Sequence, residues 1–447
     1  MTGAMYAAIG GLKTHMSSLN VIGNNIANVN TNSYKAQRMT FQESIYTMSR
    51  AGSDGTLTVG GNNPSQVGYG CSVGSIDLNM NPSTYSPTGY GLDNMIMGEG
   101  FYVMGDKDMQ INGSEDFSKF TLSRMGDFWV DPQGYITDRR GNCVFGFATV
   151  QNPHYDPKAT EEDIAKDKLL GANAKNIGEK YTISTQLVPL RLPLAAAAPS
   201  ELNGGVNADK TTKWQAGDPV YGLLGEANPD DFNSRKNVSV VDYMSIDQDG
   251  KVVVGEAGQL PAGVGTPTGL PDGGTGGGAA QITYNGPIPN TEDKCVKLTG
   301  MNINEQGGIY GTDSNGNTVV VGYIAIANCA SNDGVTHEDG YYYKAAEGAG
   351  NVTINGLGGV LDGKFVNNRQ IITDPNNTTN NGAPPTDDAI GKGGTAIIKN
   401  GGLEASSTDI ATEFSNMILT QRGYQANTRI ITVTDSMLEE LVNMKRG

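Results

Sequence analysis

The sequence predicts a mainly β protein with long terminal α-helices. The two helices form an α-helical coiled-coil domain, and two or more β-sandwich or barrel-like domains nest between them by insertion. Three observations predict this. Apolar residues repeat every three or four positions at both ends of the chain. Between those ends the period drops to two, with turn signals about every 8–12 residues. Gly is 62 of 447 residues, about twice the usual ~7%, which suits short strands joined by turns.

Residues 1–30 read as a helix. Met5, Ile9, Leu12, Met16, Leu19, Ile22, Ile26 and Val29 are spaced 4, 3, 4, 3, 3, 4 and 3, the seam of a helix that packs on other helices. Gly3, Gly10, Gly11 and Gly23 each cost about 1 kcal/mol relative to Ala, so this helix needs partners. Asn24, Asn25, Asn28, Asn30 and Asn32 follow, and Asn tolerates helix ends, so the helix stops near 28–32. Residues 408–444 form the second helix, with Thr408 or Asp409 as N-cap and Glu413 in its first turns. Its frame of Ile410, Phe414, Met417, Gln421, Tyr424, Thr428, Ile431, Asp435, Leu438 and Val442 steps by 4 and 3 alternately. Three of those positions are polar, so the seam is weak. Lys445 and Arg446 carry the charge a helix C-terminus prefers.

In the middle, residues 100–104, 121–125, 251–254 and 319–324 read as strands. Residues 131–134, 139–142 and 247–250 read as turns. A short charged surface helix is expected at 160–170. The Gly-rich stretch 255–286 and the Asn/Pro-rich stretch 374–394 read as long loops.

Composition excludes several functions. Lys+Arg 31 against Asp+Glu 47 gives a net charge of −16, which argues against binding nucleic acid or anionic lipid. No apolar run reaches membrane-spanning length, and no cleavable secretory signal is expected. Cys71, Cys143, Cys295 and Cys329 lie far apart without a C-x-x-C, so neither a disulfide framework nor a zinc site is expected. No P-loop and no G-x-S-x-G occurs. His15 lies beside the first apolar stripe and reads as an interface residue. His337-Glu338-Asp339 reads as a solvated turn. Asp313-Ser-Asn-Gly-Asn317 opens like a calcium loop but has Thr318 where Gly is needed and Ile324 where Glu is needed, so a β-turn is expected. No catalytic residue, cofactor or metal is assigned, and the chain is read as a non-enzyme. Two weak amphipathic helices flanking a β insert suggest a self-assembling subunit. An intramolecular helical hairpin that closes the domain is the alternative.

The same termini resemble the bacterial flagellar rod and hook family. Leu19-Asn-Val-Ile-Gly-Asn-Asn-Ile-Ala-Asn-Val-Asn-Thr-Asn-Ser-Tyr-Lys35 resembles its N-terminal signature. Gly401-Gly-Leu-Glu-Ala405 followed by Gln421-Arg-Gly-Tyr-Gln-Ala-Asn427 resembles its C-terminal one, with Asn24, Asn25, Asn28, Gln421, Arg422, Tyr424, Gln425 and Asn427 as motif residues. Gly98-Glu-Gly-Phe-Tyr-Val103 and Phe120-Thr-Leu-Ser-Arg-Met-Gly126 resemble its central β motifs. Two departures stand out: Ser406-Ser407-Thr408 replaces the family's Ser-Asn-Val, and 356–399 is longer than expected.

The large middle of the chain resembles hook subunits rather than the shorter rod subunits. The resemblance thus implies a subunit of the hook, a curved extracellular tube acting as a universal joint that carries motor torque from rod to filament. It further implies a helical homopolymer and export by the flagellar type III apparatus. The implied partners are the distal rod protein, the hook cap and the hook–filament junction protein. The expected division is a terminal helical domain (1–30 with 408–447), a linker region (31–70 with 399–407), an inner β domain (71–150 with 320–398) and an outer β domain (151–319). A distal-rod subunit, a surface adhesin and a secreted hydrolase are the rival readings.

Overall fold

The computed structural model describes residues 2–444 except 53–54, 56–59, 108, 110–119, 152–157, 170–176, 179–180, 184–186, 197–214, 226–235, 239–243, 247–251, 255–294, 351, 357–370 and 373–395. The expected loops 255–286 and 374–394, the turn 247–250 and the Lys445–Arg446 pair therefore lie outside the described residues.

The chain divides into two units, residues 1–84 with 405–447 and residues 85–404. In chain order the first unit opens with α1 (Thr2–Ala27), β1 (Gln37–Glu43), β2 (Tyr46–Arg50), β3 (Ser65–Gly68) and β4 (Cys71–Leu78). The second unit contains β5 (Tyr85–Pro87), β6 (Asn94–Met97), β7 (Phe101–Gly105), β8 (Thr121–Ser123), β9 (Cys143–Gln151), α2 (Glu161–Lys168), β10 (Thr318–Cys329), β11 (Tyr342–Ala345), β12 (Val352–Gly356), β13 (Ile397–Asn400) and β14 (Gly402–Glu404), among shorter strands. The chain then returns to the first unit as α3 (Ile410–Met444).

In the first unit α1 packs on α3 and on β4. β1 and β4 form an antiparallel ribbon with Phe41 opposite Val73. β2 and β3 form a hairpin exposed along both strands, carrying Tyr46, Met48 and Val67. Close approach dictates one glycine here. Gly70 has φ +100°, and a Cβ on it would lie 2.8 Å from the Ala7 carbonyl oxygen of α1.

The second unit is built on β10, a twelve-residue strand. Val319, Val321, Ile324 and Ile326 are branched side chains that fit a pleated, buried surface. β10 pairs antiparallel with β9 (Gly146 opposite Ile324), with β7 (Ile326 opposite Tyr102) and with β12 (Ala327 opposite Ile354). Its sheet continues through β7, β8 and β11. Tyr102, Met104, Phe128, Ile136, Val144, Leu190, Ile309, Ile324 and Ile326 form the core. α2 follows Thr160, whose hydroxyl accepts from the Asp163 N–H in a reciprocal capping box.

Four hairpin turns of this unit are the same turn. Asp131, Asp138, Asn304 and Asp313 each stand three residues before a glycine of positive φ: Gly134, Gly141, Gly307 and Gly316. Each side-chain Oδ1 accepts two backbone N–H groups, two and four residues ahead. These are Gln133 and Tyr135, Arg140 and Asn142, Gln306 and Gly308, and Asn315 and Asn317, at 2.6–3.1 Å. The side chain thus satisfies amides that the tight turn leaves without a strand partner. The 313–317 segment is one of these turns, as its sequence predicts.

The second unit is closed by β14. Gly402, Leu403 and Glu404 pair with Pro87, Ser86 and Tyr85, and β13 pairs with β6. Glu404 is fully buried and forms an ion pair with buried Arg124, Oε2 to Nε 3.5 Å. Arg124 also donates to the carbonyls of Gly98 (3.0 Å) and Gly100 (2.6 Å). Removing one member of a buried pair strands the other charge, at a cost of about 3–5 kcal/mol. Arg124→Met should therefore lower the stability of the second unit by about 3 kcal/mol or more. Calorimetry checks this, and a melting temperature unchanged within a degree would show that Glu404 is neutralised another way.

The paired terminal helices as candidate assembly surface

α1 ends at Ala27, within the asparagine-rich stretch, whose Asn24 and Asn25 are still helical, and one residue short of the expected stop near 28–32. α3 begins at Ile410 with Asp409 as its cap: Asp409 Oδ1 accepts the Ala411 N–H at 3.1 Å, and Oδ2 accepts the Thr412 hydroxyl. Those two bonds hold the Asp409 carboxyl below its ordinary pKa.

The face of α1 that is buried within the chain mixes small, polar and apolar residues: Ala8, Gly11, Thr14, Ser18, Val21, Ile22 and Asn25. The Thr14 hydroxyl donates to Gly10 O and to Cys71 O. A Cβ on Gly11 would lie 2.6 Å from Asn427 Nδ2, and one on Gly423 would lie 2.7 Å from His15 Cε1. These glycines let the two helices approach closely, which explains their presence despite their helix cost. His15 packs on the Phe41 ring, with centroids 5.4 Å apart.

Asn25 is the polar hub. Its Nδ2 donates to Gln37 O (2.8 Å) and to Glu413 Oε1 (2.9 Å). Its Oδ1 accepts the Tyr34 hydroxyl (3.1 Å) and the Gln37 N–H (2.9 Å). All four bonds of the carboxamide are made, and one of them ties α1 to α3 across 388 residues of sequence. Asn28 Nδ2 donates to Asn24 O, and Asn24 Nδ2 donates to the Tyr34 hydroxyl. Burial, then the Glu413 carboxylate, pushes the Tyr34 phenol up to about 12.

The sequence-predicted seam residues fall on different faces. Ile22 is buried, and Met5, Leu12, Leu19, Ile26 and Val29 are half-buried, whereas Ile9 and Met16 are exposed. On α3, Met417, Tyr424, Ile431 and Leu438 are half-buried, whereas Ile410, Phe414 and Val442 are exposed. Gln421, Thr428 and Asp435 of the expected frame point to solvent. The inward positions that alternate with Met417, Tyr424 and Ile431 are instead Thr420, Asn427 and Thr434, one residue earlier. Thr420 and Thr434 bond their own helix, to Asn416 O and Ile430 O. Polar threonines in an inward seam give no apolar signal, so periodicity could not place them. Among the motif residues, Asn25 is buried, Asn28, Tyr424 and Asn427 are half-buried, and Asn24, Gln421, Arg422 and Gln425 are exposed.

Outward, α3 carries a second apolar row. Ile410, Phe414, Ile418 and Leu419 are exposed, as are Ile430, Val433, Met437, Leu441 and Met444. Steps of 3, 4, 4 and 3 in the latter set draw one continuous stripe. α1 adds exposed Tyr6, Ile9 and Met16. A row this long on the surface is a candidate interaction site.

Among the described residues no cluster of three metal-ligating side chains occurs, and no helix is long and apolar enough to cross a membrane. All four cysteines are free thiols, and burial pushes those of Cys143 and Cys329 up to about 11.

A β body carried between two long terminal helices, with an apolar row left open on one of them, has the build of a structural subunit. Comparison with known proteins names the class. Residues 5–35 match the family model for flagella basal body rod protein, and residues 399–444 match that for flagellar basal body rod FlgEFG protein C-terminal. The flagellar hook protein FlgE of Borreliella burgdorferi is 27% identical over 495 residues, covering all of both chains. That of Escherichia coli K12 is 26% identical over 486 residues, covering 99% of this chain and 100% of the other. The flagellar basal-body rod protein FlgG of Bacillus subtilis is 24% identical over 446 residues, covering all of both chains. The crystal structure of Helicobacter pylori flagellar hook protein FlgE2 matches with 15% identity and a TM-score of 0.24, over 60% of this chain and 95% of that one. Both termini thus match flagellar rod and hook family models, and the whole chain is similar to flagellar hook and rod proteins, which supports a structural subunit of that kind.

Two outcomes are expected at the hub. Asn25→Ala should cost the first unit about 2–4 kcal/mol, since Gln37 O and Glu413 lose their donor. Hydrogen exchange of α1 and α3 amides measures it, and unchanged protection would remove Asn25 from its central role. The second outcome concerns pH. The Tyr34 phenol has a higher pKa folded than unfolded, so its contribution is complete below pH 10 and is lost as the pH climbs through about 12. Tyr34→Phe should flatten that alkaline loss of helix signal.

Proposed function

We propose that this chain is the subunit of the flagellar hook and polymerises with copies of itself through its terminal helices. The observation that carries this reading is the open apolar row of α3, from Ile430 to Met444, which no other part of the described chain covers. Each large apolar side chain buried there contributes about 1.5–3 kcal/mol, enough over one row to drive association. The interface residues are those of the stripes: Met5, Ile9, Leu12, Met16, Leu19, Ile22, Ile26 and Val29 on α1, with Ile410, Phe414, Met417, Tyr424, Ile431, Leu438 and Val442 on α3. The ten inward ones hold the helix pair together, and the five exposed ones, Ile9, Met16, Ile410, Phe414 and Val442, meet the next copy together with the row.

In this reading the helices line the tube and hold subunits along its axis, and the β domains form outer shells. Bending during rotation makes each subunit lengthen and shorten its axial contacts once per turn. Rigid β bodies can do so by sliding over polar interfaces that have several near-equal registers. The tube lies outside the cell, between the distal rod protein and the hook–filament junction protein. It grows beneath a hook cap from subunits delivered by the flagellar export apparatus. The large β unit between the helices favours the hook over the distal rod. The resemblance to a rod protein keeps a straight, rigid rod segment as the second reading.

Electron microscopy of the purified chain separates these readings. The full chain should give curved tubes or protofilaments. The chain lacking 1–30 and 408–447 should stay monomeric. Leu438→Pro, which breaks α3, should abolish assembly while the β domains keep their fold by circular dichroism. Normal hooks built from the Leu438→Pro variant in a strain lacking its own hook protein would sink the interface assignment. Straight, unbending tubes from the full chain would favour the rod.

A further inference from the structure

The outer row of α3 contains two thioethers among five apolar side chains. Met437 is 49% exposed and Met444 is 73% exposed in the single chain. Their neighbours on the row, Ile430, Val433 and Leu441, are aliphatic and offer no hydrogen-bond donor. Elsewhere Met95 and Met104 are sealed in the core of the second unit, whereas Met16, Met48 and Met97 are exposed to a similar degree but lie off this row.

We infer that Met437 and Met444 are oxidation sites that control self-association of the free subunit. The inference rests on the self-assembly reading above. A peroxide reaches these sulfurs before assembly, and the sulfoxide product keeps the row from packing until a reductase removes it. In the reaction a sulfur lone pair attacks one oxygen of hydrogen peroxide. The S–O bond forms and the O–O bond breaks. The departing hydroxide takes the proton left on the transferred oxygen and leaves as water. Sulfur is oxidised by two electrons, and the peroxide accepts them.

A sulfoxide is polar and accepts hydrogen bonds, so burying it among Ile430, Val433 and Leu441 leaves that acceptor without a partner. Two of the four thiols compete poorly for oxidant: Cys143 is buried, and burial keeps it and Cys329 protonated near neutral pH. Once a second copy covers the row, the same sulfurs are out of reach, so the chemistry acts on unassembled chains.

The test treats the full chain with graded hydrogen peroxide and maps each methionine by mass spectrometry. Assembly is then followed by pelleting and electron microscopy. Met437 and Met444 should oxidise about as fast as the exposed Met16, Met48 and Met97, and well ahead of Met95 and Met104. The critical concentration for assembly should rise about tenfold, and methionine sulfoxide reductases should restore it. The Met437→Leu/Met444→Leu variant should assemble normally before and after peroxide. Wild-type chain that still assembles with both sulfurs oxidised would overturn the inference. A double-leucine variant that loses assembly on oxidation as the wild type does would also overturn it. Untreated chain that fails to assemble would overturn the self-assembly reading, and this inference with it.

Discussion

Everything in this chain depends on holding together two segments more than three hundred residues apart. β5 pairs with β14, and the Tyr85 hydroxyl donates to Asn400 O across 315 residues. The ladder continues where Ala405 N–H donates to Thr84 O at 2.9 Å. Closing a loop of that length costs about 5 kcal/mol of chain entropy. Hydrogen bonds alone do not offset this. The Leu403 side chain, sealed in the same place, adds apolar burial, and the buried Glu404 carboxylate is matched there by Arg124. Once the second unit has folded, the chain leaves it at two neighbouring points, and α1 meets α3 as if only short loops separated them.

The helix pair is correspondingly weak within one chain. Its inward face is threonine, serine, asparagine and glycine, with apolar contacts only at intervals. A single polar hub, Asn25, fixes the register by making every bond its carboxamide can make. Such a seam specifies geometry more than it stabilises, because an unmade bond at the hub is costly and a made one contributes little. Most of the large apolar side chains of α3 face away from α1. That division separates two tasks: polar groups set how the pair fits together, and apolar groups remain for the next partner.

Much of this was legible in the sequence, for identifiable reasons. The ends of α1 and α3 follow from asparagines after Ala27 and from Asp409 ahead of Ile410. Turns at 131–134, 139–142 and 313–317 follow from an Asx residue three positions before glycine. The 3.5-residue repeat located Met417, Tyr424, Ile431 and Leu438, which alternate with polar inward residues. It could not say that Thr420, Asn427 and Thr434 share their face, because threonine and asparagine carry no hydrophobic signal and Gln421, Thr428 and Asp435 look equally polar. Nor could it find the row from Ile430 to Met444, which lies one step round the helix from the expected frame. The partners of Asn25 and the Arg124–Glu404 pair are tertiary facts; nothing local distinguishes Glu404 from an exposed glutamate.

The distance between Asn25 and Glu413 in the sequence has a consequence for the integrity of the molecule. α1 has no mate until the far end of the same chain is present, and a break anywhere in the intervening 388 residues turns their meeting from an internal event into a bimolecular one. A truncated copy therefore has α1 without its mate, or α3 without its hub. Either fragment is flagged by its own unsatisfied surface. The pairing of the two ends is therefore a property that only the unbroken chain carries within itself.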